Sequence, residues 1–139
     1  MKNLLLFALL LTGLSGFAQC NLNLSLTSSL TEYLDSTNVV QRSVDEKSNI
    51  EISKTQVLIS PEGKDTMTGK ITSATCNWTT PYKTGKSIIK ADFEDPNGSV
   101  FHATITLEGK DDKVMLTMVA DEMVNRKIRV TIDSFKEKN

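Results

Sequence analysis

The sequence is poor in the side chains on which most enzymes and metal sites depend. Its 139 residues include one histidine, two cysteines and one tryptophan. A Ser-His-Asp triad would have to use His102, and a single histidine without a recognisable cleft does not support one. A catalytic cysteine is not expected, because Cys20 lies at a predicted processing site and Cys76 is expected to face the core. We therefore predict no enzymatic activity, no cofactor and no bound metal.

The sequence also lacks an excess of positive charge. It has 16 Lys and Arg against 17 Asp and Glu, which gives a formal net charge of −1. A protein that binds nucleic acid needs clustered Lys and Arg to displace the counterions of the phosphates. Nucleic acid is therefore not an expected partner.

Only one long apolar run is present, over residues 4–11. Lys2 precedes this run, and Gly and Ser residues follow it. The order is typical of a secretory signal peptide, and the small residues Gly16 and Ala18 suit cleavage before Gln19. The run is about half of the roughly 20 residues that cross a bilayer. We predict a signal peptide over 1–18, a single domain over 19–139 and no transmembrane segment.

The two cysteines are predicted to form a disulfide between Cys20 and Cys76. An exported chain meets an oxidising compartment, in the periplasm or outside the cell, where paired cysteines become oxidised. The alternative is a lipid anchor on Cys20, since a bacterial lipobox also ends in cysteine. Gln19 stands where that motif normally has Gly, Ala or Ser, so we favour the disulfide.

The start of the predicted domain carries apolar residues at spacings of three and four. These residues are Leu22, Leu26, Leu30, Tyr33 and Leu34. Such spacing places them on one stripe of a helix, which we predict over about 22–36. The polar stretch that follows, over 37–48, is interpreted as a connection.

From Asn49 onwards apolar and polar residues alternate, which is the period of a β-strand. The segment Asp95-Pro96-Asn97-Gly98 is typical of a three-residue hairpin loop. The resulting register aligns Phe93 with Phe101, Ala91 with Ala103 and Ile89 with Ile105. Every apolar residue of this hairpin then lies on one face, which a slip by one residue would destroy.

Polar turns over 81–86, 109–113 and 121–125 extend the pattern on both sides. They predict Trp78 near Ile89, Cys76 near Ala91, Leu107 opposite Val114 and Met118 beside Ile128. Changes of parity predict irregularities near Lys54 and near Ser73. The expected fold is mainly β, an N-terminal helix followed by a six-stranded antiparallel meander that forms a curved sheet or a small barrel. It becomes α+β if the helix packs on the sheet.

The leader, which ends in Phe17-Ala18-Gln19-Cys20, resembles those of small, uncharacterised exported proteins of Gram-negative envelopes. The layout is also loosely similar to that of lipocalins, although their Gly-x-Trp signature is missing: Trp78 follows Cys76-Asn77 and lies in the middle of the chain. A cystatin-like sheet wrapped around a helix fits the order of elements equally well. These resemblances imply a small exported β-rich protein, and they assign no functional residues.

The predicted apolar face has a shallow spot where Ala91 and Ala103 meet. Either the N-terminal helix fills this spot or a small apolar ligand lies there. In the second case Trp78, Phe93 and Phe101 would border the ligand. These five residues are the candidate ligand-binding residues.

The opposite, polar face places Asp92 opposite His102, roughly 5 Å apart. The pair could form a weak metal site or an acid and a base. We favour a cross-strand pair on a solvated surface, which needs no further function.

These observations favour a non-catalytic exported binding protein. Its expected partner is a small apolar ligand or another exported protein. Two alternatives stay open: an inhibitor or immunity-type protein that uses the loops at 110–113 or 123–125, and a hydrolase that depends on His102.

Overall fold

The computed structural model describes residues 20, 23–95 and 97–138, which form eight β-strands. The strands are β1 Leu24–Leu34, β2 Val40–Ile52, β3 Gln56–Pro61, β4 Met67–Thr80, β5 Thr84–Glu94, β6 Val100–Lys110, β7 Lys113–Ala120 and β8 Lys127–Glu137. Each strand pairs antiparallel with the next, and β8 pairs with β1, so the sheet closes into a barrel. The predicted class, mainly β, is confirmed.

The predicted signal peptide, 1–18, lies outside the described residues. Within the described segments, no helix is long and apolar enough to cross a lipid bilayer.

The predicted helix over 22–36 is wrong for the part that the structure describes, because this segment forms β1. The register of β1 slips between Ser28 and Leu30 against its neighbour on either side. Leu26 therefore faces the core before the slip, and Thr31 faces it afterwards. Such a bulge converts the alternation of a strand into spacings that look helical.

The described residues form eight strands rather than the predicted six. One extra strand is β1. The other arises because the stretch from Asn49 to Ile59, predicted as one strand with a kink, is divided between β2 and β3, and β2 also extends back over residues 40–48 of the predicted connection. The kink expected near Lys54 is a complete turn over 53–55, in which the Ser53 N–H donates to the Gln56 carbonyl at 2.9 Å. That turn separates β2 from β3 and explains the change of parity in the sequence.

Two predicted hairpin registers are confirmed. The β5–β6 hairpin aligns Phe93 with Phe101, Ala91 with Ala103 and Ile89 with Ile105. The β7–β8 hairpin aligns Met118 with Ile128. The β5–β6 loop closes as expected, since the Asp95 N–H donates to the Ser99 carbonyl at 2.8 Å.

The β6–β7 register differs from the prediction by two residues. Leu107 faces Leu116 and not Val114. The strands are joined by Asp111 and Asp112 alone, with φ of 53° and 62°, and this is the backbone of a tight primed hairpin turn. A shift of two residues keeps the same side chains on the inside, so the predicted core face is retained.

The β4–β5 register also differs from the prediction. Trp78 lies opposite Gly85 and not near Ile89, and Cys76 lies opposite Ser87 and not near Ala91. The connecting turn is shorter than expected, so β5 passes directly beneath Trp78. Gly85 has φ of 152°, and a Cβ there would lie 2.4 Å from the Trp78 Cα. The irregularity predicted near Ser73 is confirmed as a register slip between Ile71 and Ser73.

The core lies inside the barrel. Its largest fully buried side chains are Phe93, Leu26, Ile50, Ile52, Ile89, Ile105, Leu107 and Val57. Because the strands alternate in direction, their connections gather at two ends. The connections over 35–39, 62–66, 95–99 and 121–126 form the end that we call the open end. Those over 53–55, 81–83 and 111–112 form the closed end.

Candidate functional site

The closed end is filled by aromatic side chains and tied by the disulfide. Phe135 makes edge-to-face contacts with Trp78 and Tyr82, with ring centroids 5.7 and 4.9 Å apart. The Trp78 Nε1–H donates to the Ser87 Oγ at 2.7 Å, so the indole leaves no unpaired buried donor. The predicted Cys20–Cys76 bond is present, with Cα atoms 5.3 Å apart. These contacts obstruct entry into the barrel from this end.

The barrel interior is not filled at the open end. A cavity of about 280 Å³, which we call the inner chamber, lies between the strands at this end of the barrel. Its apolar lining is Tyr33, Ile50, Ile59, Pro61, Met67, Leu116, Met118, Ile128 and Val130. Its polar lining is Thr31, Glu46, Ser48, Lys64 and Asp65. The inner chamber is therefore an apolar pocket with a few polar groups, which is the usual composition of a small-molecule site.

A wider space of about 610 Å³, the vestibule, lies outside the inner chamber. The residues that line both spaces are Tyr33, Met67, Met118 and Ile128. The remaining vestibule lining is Leu34, Gln41, Arg42, Phe101, Ala120, Met123, Asn125, Arg126 and Lys127. The shared residues place the inner chamber and the vestibule side by side at the open end, and we call the two spaces together the cup.

A third cavity, the side cleft, lies where β4 and β5 diverge near the open end. Its volume is about 770 Å³, and it shares Met67 and Phe101 with the vestibule. The pairing of these two strands ends at Gly69 and Phe93. Its charged lining consists of Asp65, Lys70, Asp92, Glu94 and Asp95. The side cleft is thus the acidic side of the open end.

Exposed apolar side chains border the open end. They are Val39, Val40, Val100, Met123 and Val124, and they lie in or beside three of its four connections. The two loops considered for an inhibitor lie at opposite ends of the barrel. Loop 110–113 lies at the closed end, and loop 123–125 lies at the open end. Met123 and Asn125 line the vestibule, so the 121–126 loop forms part of the cup.

Most charged groups inside the cup have partners. Lys64 Nζ lies 2.7 Å from Glu46 Oε2, and the Glu46 side chain is only 11% exposed. Glu46 holds the pKa of Lys64 above its usual range by a hydrogen bond and by its charge. The Arg42 guanidinium lies over the Tyr33 ring, 4.3 Å from its centroid. This contact places a permanently charged group of the vestibule beside Tyr33, which also lines the inner chamber.

The five residues predicted to border an apolar ligand lie in different parts of the barrel. Trp78 belongs to the closed end. Ala91 and Ala103 are 1% exposed and line neither the cup nor the side cleft. Phe93 and Phe101 stack with centroids 5.4 Å apart. Both of them line the side cleft, and Phe101 also lines the vestibule.

The predicted polar pair lies on the outer wall of the barrel. His102 Nε2 is 3.6 Å from Asp92 Oδ1. Glu122, which the sequence did not suggest, is the closer partner: its Oε1 lies 2.5 Å from His102 Nδ1, and its carboxylate accepts the His102 backbone N–H at 3.1 Å. The Glu122 hydrogen bond and the charge of Asp92 raise the pKa of His102.

This cluster has the form of an exposed ion pair. The His102 side chain is 58% exposed, and it lines neither the cup nor the side cleft. Among the described residues, no group of three or more His, Cys, Asp or Glu side chains is arranged to hold a metal ion. The cluster therefore stabilises the 121–126 loop electrostatically, because it joins Glu122 of this loop to His102.

Sequence reasoning missed most of the cup. The residues concerned are Tyr33, Arg42, Glu46, Lys64, Met67, Met118 and Ile128. A signal was present in β2, where alternate positions continue from Ile52 and Ile50 to Ser48, Glu46, Val44 and Arg42. Inward positions that change from apolar to mostly polar along one strand indicate a barrel whose interior is not filled at that end.

Comparison of the chain with protein-family models, with curated proteins and with solved structures finds no significant match.

Proposed function

We propose that the protein is a non-catalytic carrier that binds one small apolar molecule in the cup. The observation that supports this proposal is the asymmetry of the barrel interior. One end is packed with aromatic rings, whereas the other holds two adjoining cavities with largely apolar linings. A barrel used only as a scaffold gains stability by filling its interior, so an unfilled apolar end is costly unless a ligand occupies it.

The size of the cup suits a single ligand. An eight-stranded barrel is just wide enough to be filled by its own side chains or to hold one small molecule. The inner chamber and vestibule, at about 280 and 610 Å³, compare with the roughly 300–1,000 Å³ typical of ligand sites. Met67 and Met118 contribute flexible, polarisable walls that adapt to apolar ligands of differing shape.

Export is part of the proposal. The Cys20–Cys76 disulfide suits an oxidising compartment, and the leader at 1–18 has the order of a signal peptide. A periplasmic or extracellular carrier would move an apolar molecule through water, where free diffusion of that molecule is limited by its solubility.

A binding assay with a neutral apolar fluorophore, N-phenyl-1-naphthylamine, tests the proposal. We expect saturable binding of one molecule per chain and an increase in its emission. Met118→Trp, which fills the inner chamber, should weaken binding at least about tenfold. Met115→Trp is the matched control, since Met115 lies on the same strand but outside the core.

Native mass spectrometry of the protein purified from its own host then identifies the ligand. We expect a noncovalent adduct that is lost on denaturation. Failure of the fluorophore to bind, or equal loss of binding in both Trp variants, would contradict the proposal.

A further inference from the structure

The charges of the cup differ in sign from those of the rest of the chain. The lining of the inner chamber and vestibule includes four cations, Arg42, Lys64, Arg126 and Lys127, and two carboxylates, Glu46 and Asp65. The formal charge of this lining is thus 4 − 2 = +2, whereas the whole chain has −1. Both carboxylates belong to the inner chamber, and the vestibule lining contains none.

Three of the four cations have no salt-bridge partner among the described residues, and one of these three, Lys127, is hydrogen-bonded to an amide oxygen. Lys64 pairs with Glu46, and Lys127 Nζ donates to Asn38 Oδ1 at 2.9 Å. Over residues 20, 23–95 and 97–138, neither Arg42 nor Arg126 forms a salt bridge. Arginines beside an apolar cavity with their N–H groups unpaired are ready to bind an anion.

The position of Arg42 favours this use. Its guanidinium carbon lies 4.3 Å from the centre of the Tyr33 ring, and Arg42 lines the vestibule. A guanidinium edge matches the two oxygens of a carboxylate or a phosphate. Tyr33 also lines the inner chamber and the vestibule, so an anion on Arg42 would lie directly above the apolar interior.

The negative charge of the side cleft favours binding of an anion at the opposite side of the opening of the cup, which we call its mouth. Its lining has four carboxylates, Asp65, Asp92, Glu94 and Asp95, against one cation, Lys70. An anion entering the cup is repelled from this side and attracted to the side that carries Arg42 and Arg126. The mouth of the cup is therefore polarised across its width.

We infer that the ligand of the cup is an amphipathic anion, a single-tailed lipid whose tail occupies the inner chamber and whose carboxylate or phosphate headgroup is bound by Arg42 and Arg126. This inference rests on the proposed function, because it assigns a chemical class to the ligand of the same cup. Of the two carboxylates that line the inner chamber, Glu46 is neutralised by Lys64, and Asp65 also lines the acidic side cleft.

Competition against N-phenyl-1-naphthylamine tests the inference with ligands of equal tail length: dodecanoate, dodecyl phosphate, dodecanol and dodecylamine. We expect at least one of the two anions to bind about tenfold or more tightly than dodecanol, and dodecylamine to bind no better than dodecanol. Dodecanoate and dodecyl phosphate distinguish the two headgroups.

The variant Arg42→Gln/Arg126→Gln should remove the preference for the anion and leave dodecanol affinity within about twofold. Arg129→Gln is the matched control, because Arg129 lies on the outer wall, where it is bonded to Glu32 at 3.0 Å. It should keep the preference.

The outcomes separate the two proposals. Equal affinity for anion and alcohol, a preference for the amine, or an anion preference that survives the double variant would overturn this inference while the carrier function stands. Failure of the fluorophore and of all four ligands to bind would overturn both.

Discussion

The phenyl ring of Phe93 lies against the backbone of Gly69, so closely that a Cβ on Gly69 would be 2.6 Å from the ring. The two residues face each other across β4 and β5 at the point where their pairing ends. Phe93 is 1% exposed, so its ring can occupy this space only because Gly69 has no side chain.

Gly69→Ala should therefore destabilise the barrel. The added methyl group overlaps the ring, and forced overpacking typically costs about 1–3 kcal/mol. Urea denaturation measures the loss. In a Phe93→Leu background the same substitution should cost less, because the smaller side chain can move aside. An equal cost in both backgrounds would show that the ring contact is not the cause.

The disulfide should stabilise the barrel without affecting the cup. It joins residues 56 positions apart. Closing a loop of this size restricts the unfolded chain, which raises the free energy of unfolding by about 2–4 kcal/mol. Cys20→Ser/Cys76→Ser should lower the free energy of unfolding by that amount. Affinity for N-phenyl-1-naphthylamine should stay within about twofold, since the bond lies at the closed end.

Denaturation in the presence and absence of reductant provides the control. Reductant should destabilise the unmodified chain and leave the double Ser variant unchanged. A large loss of affinity in the variant would show that the closed end and the cup are coupled.

The β5–β6 hairpin could be predicted because two features of the sequence agree there. Asp95, Asn97 and Gly98 specify the loop, and strict alternation on both sides permits only one register. The strand β1 could not be predicted in the same way. Its bulge between Ser28 and Leu30 breaks the alternation, and local spacing alone does not distinguish a bulged strand from a helix.

The cup was hidden for a related reason. Arg42 and Glu46 face inward, yet polar residues in a predicted core strand are normally taken as evidence of a loop. They are tolerated there because the cavity leaves them solvated or paired. Lys64 meets Glu46 only when the strands pair into the closed barrel that also forms the cavity. No local sequence pattern predicts this contact.

His102 should titrate above its ordinary pKa of 6.5, because the Glu122 hydrogen bond and the charge of Asp92 both favour the protonated ring. The contribution of this raised pKa to stability is complete below about pH 6.5 and is lost as the pH rises through the folded value. Glu122 has a lowered pKa against its ordinary 4.5, so its contribution is lost as the pH falls through the folded value. The pair therefore stabilises most between these limits.

An NMR titration measures this directly, because the chain has a single histidine. Glu122→Gln should bring the pKa of His102 down more than Asp92→Asn does, since the Glu122 hydrogen bond is the larger cause. An unchanged pKa in the Glu122 variant would contradict the observed geometry. The cup should bind N-phenyl-1-naphthylamine equally well in both variants.

Trp78 should not respond to a ligand in the cup. Its indole is held at the closed end by Phe135 and by the Ser87 hydroxyl, whereas Phe101 lines the vestibule. Adding dodecanoate should leave both the emission maximum and the acrylamide quenching of Trp78 unchanged. The variant Trp78→Phe/Phe101→Trp moves the only tryptophan to the cup, where the same ligand should shift the emission and reduce quenching. If Trp78 itself responds and the relocated tryptophan does not, the ligand lies at the closed end, and Trp78 is a ligand-binding residue after all.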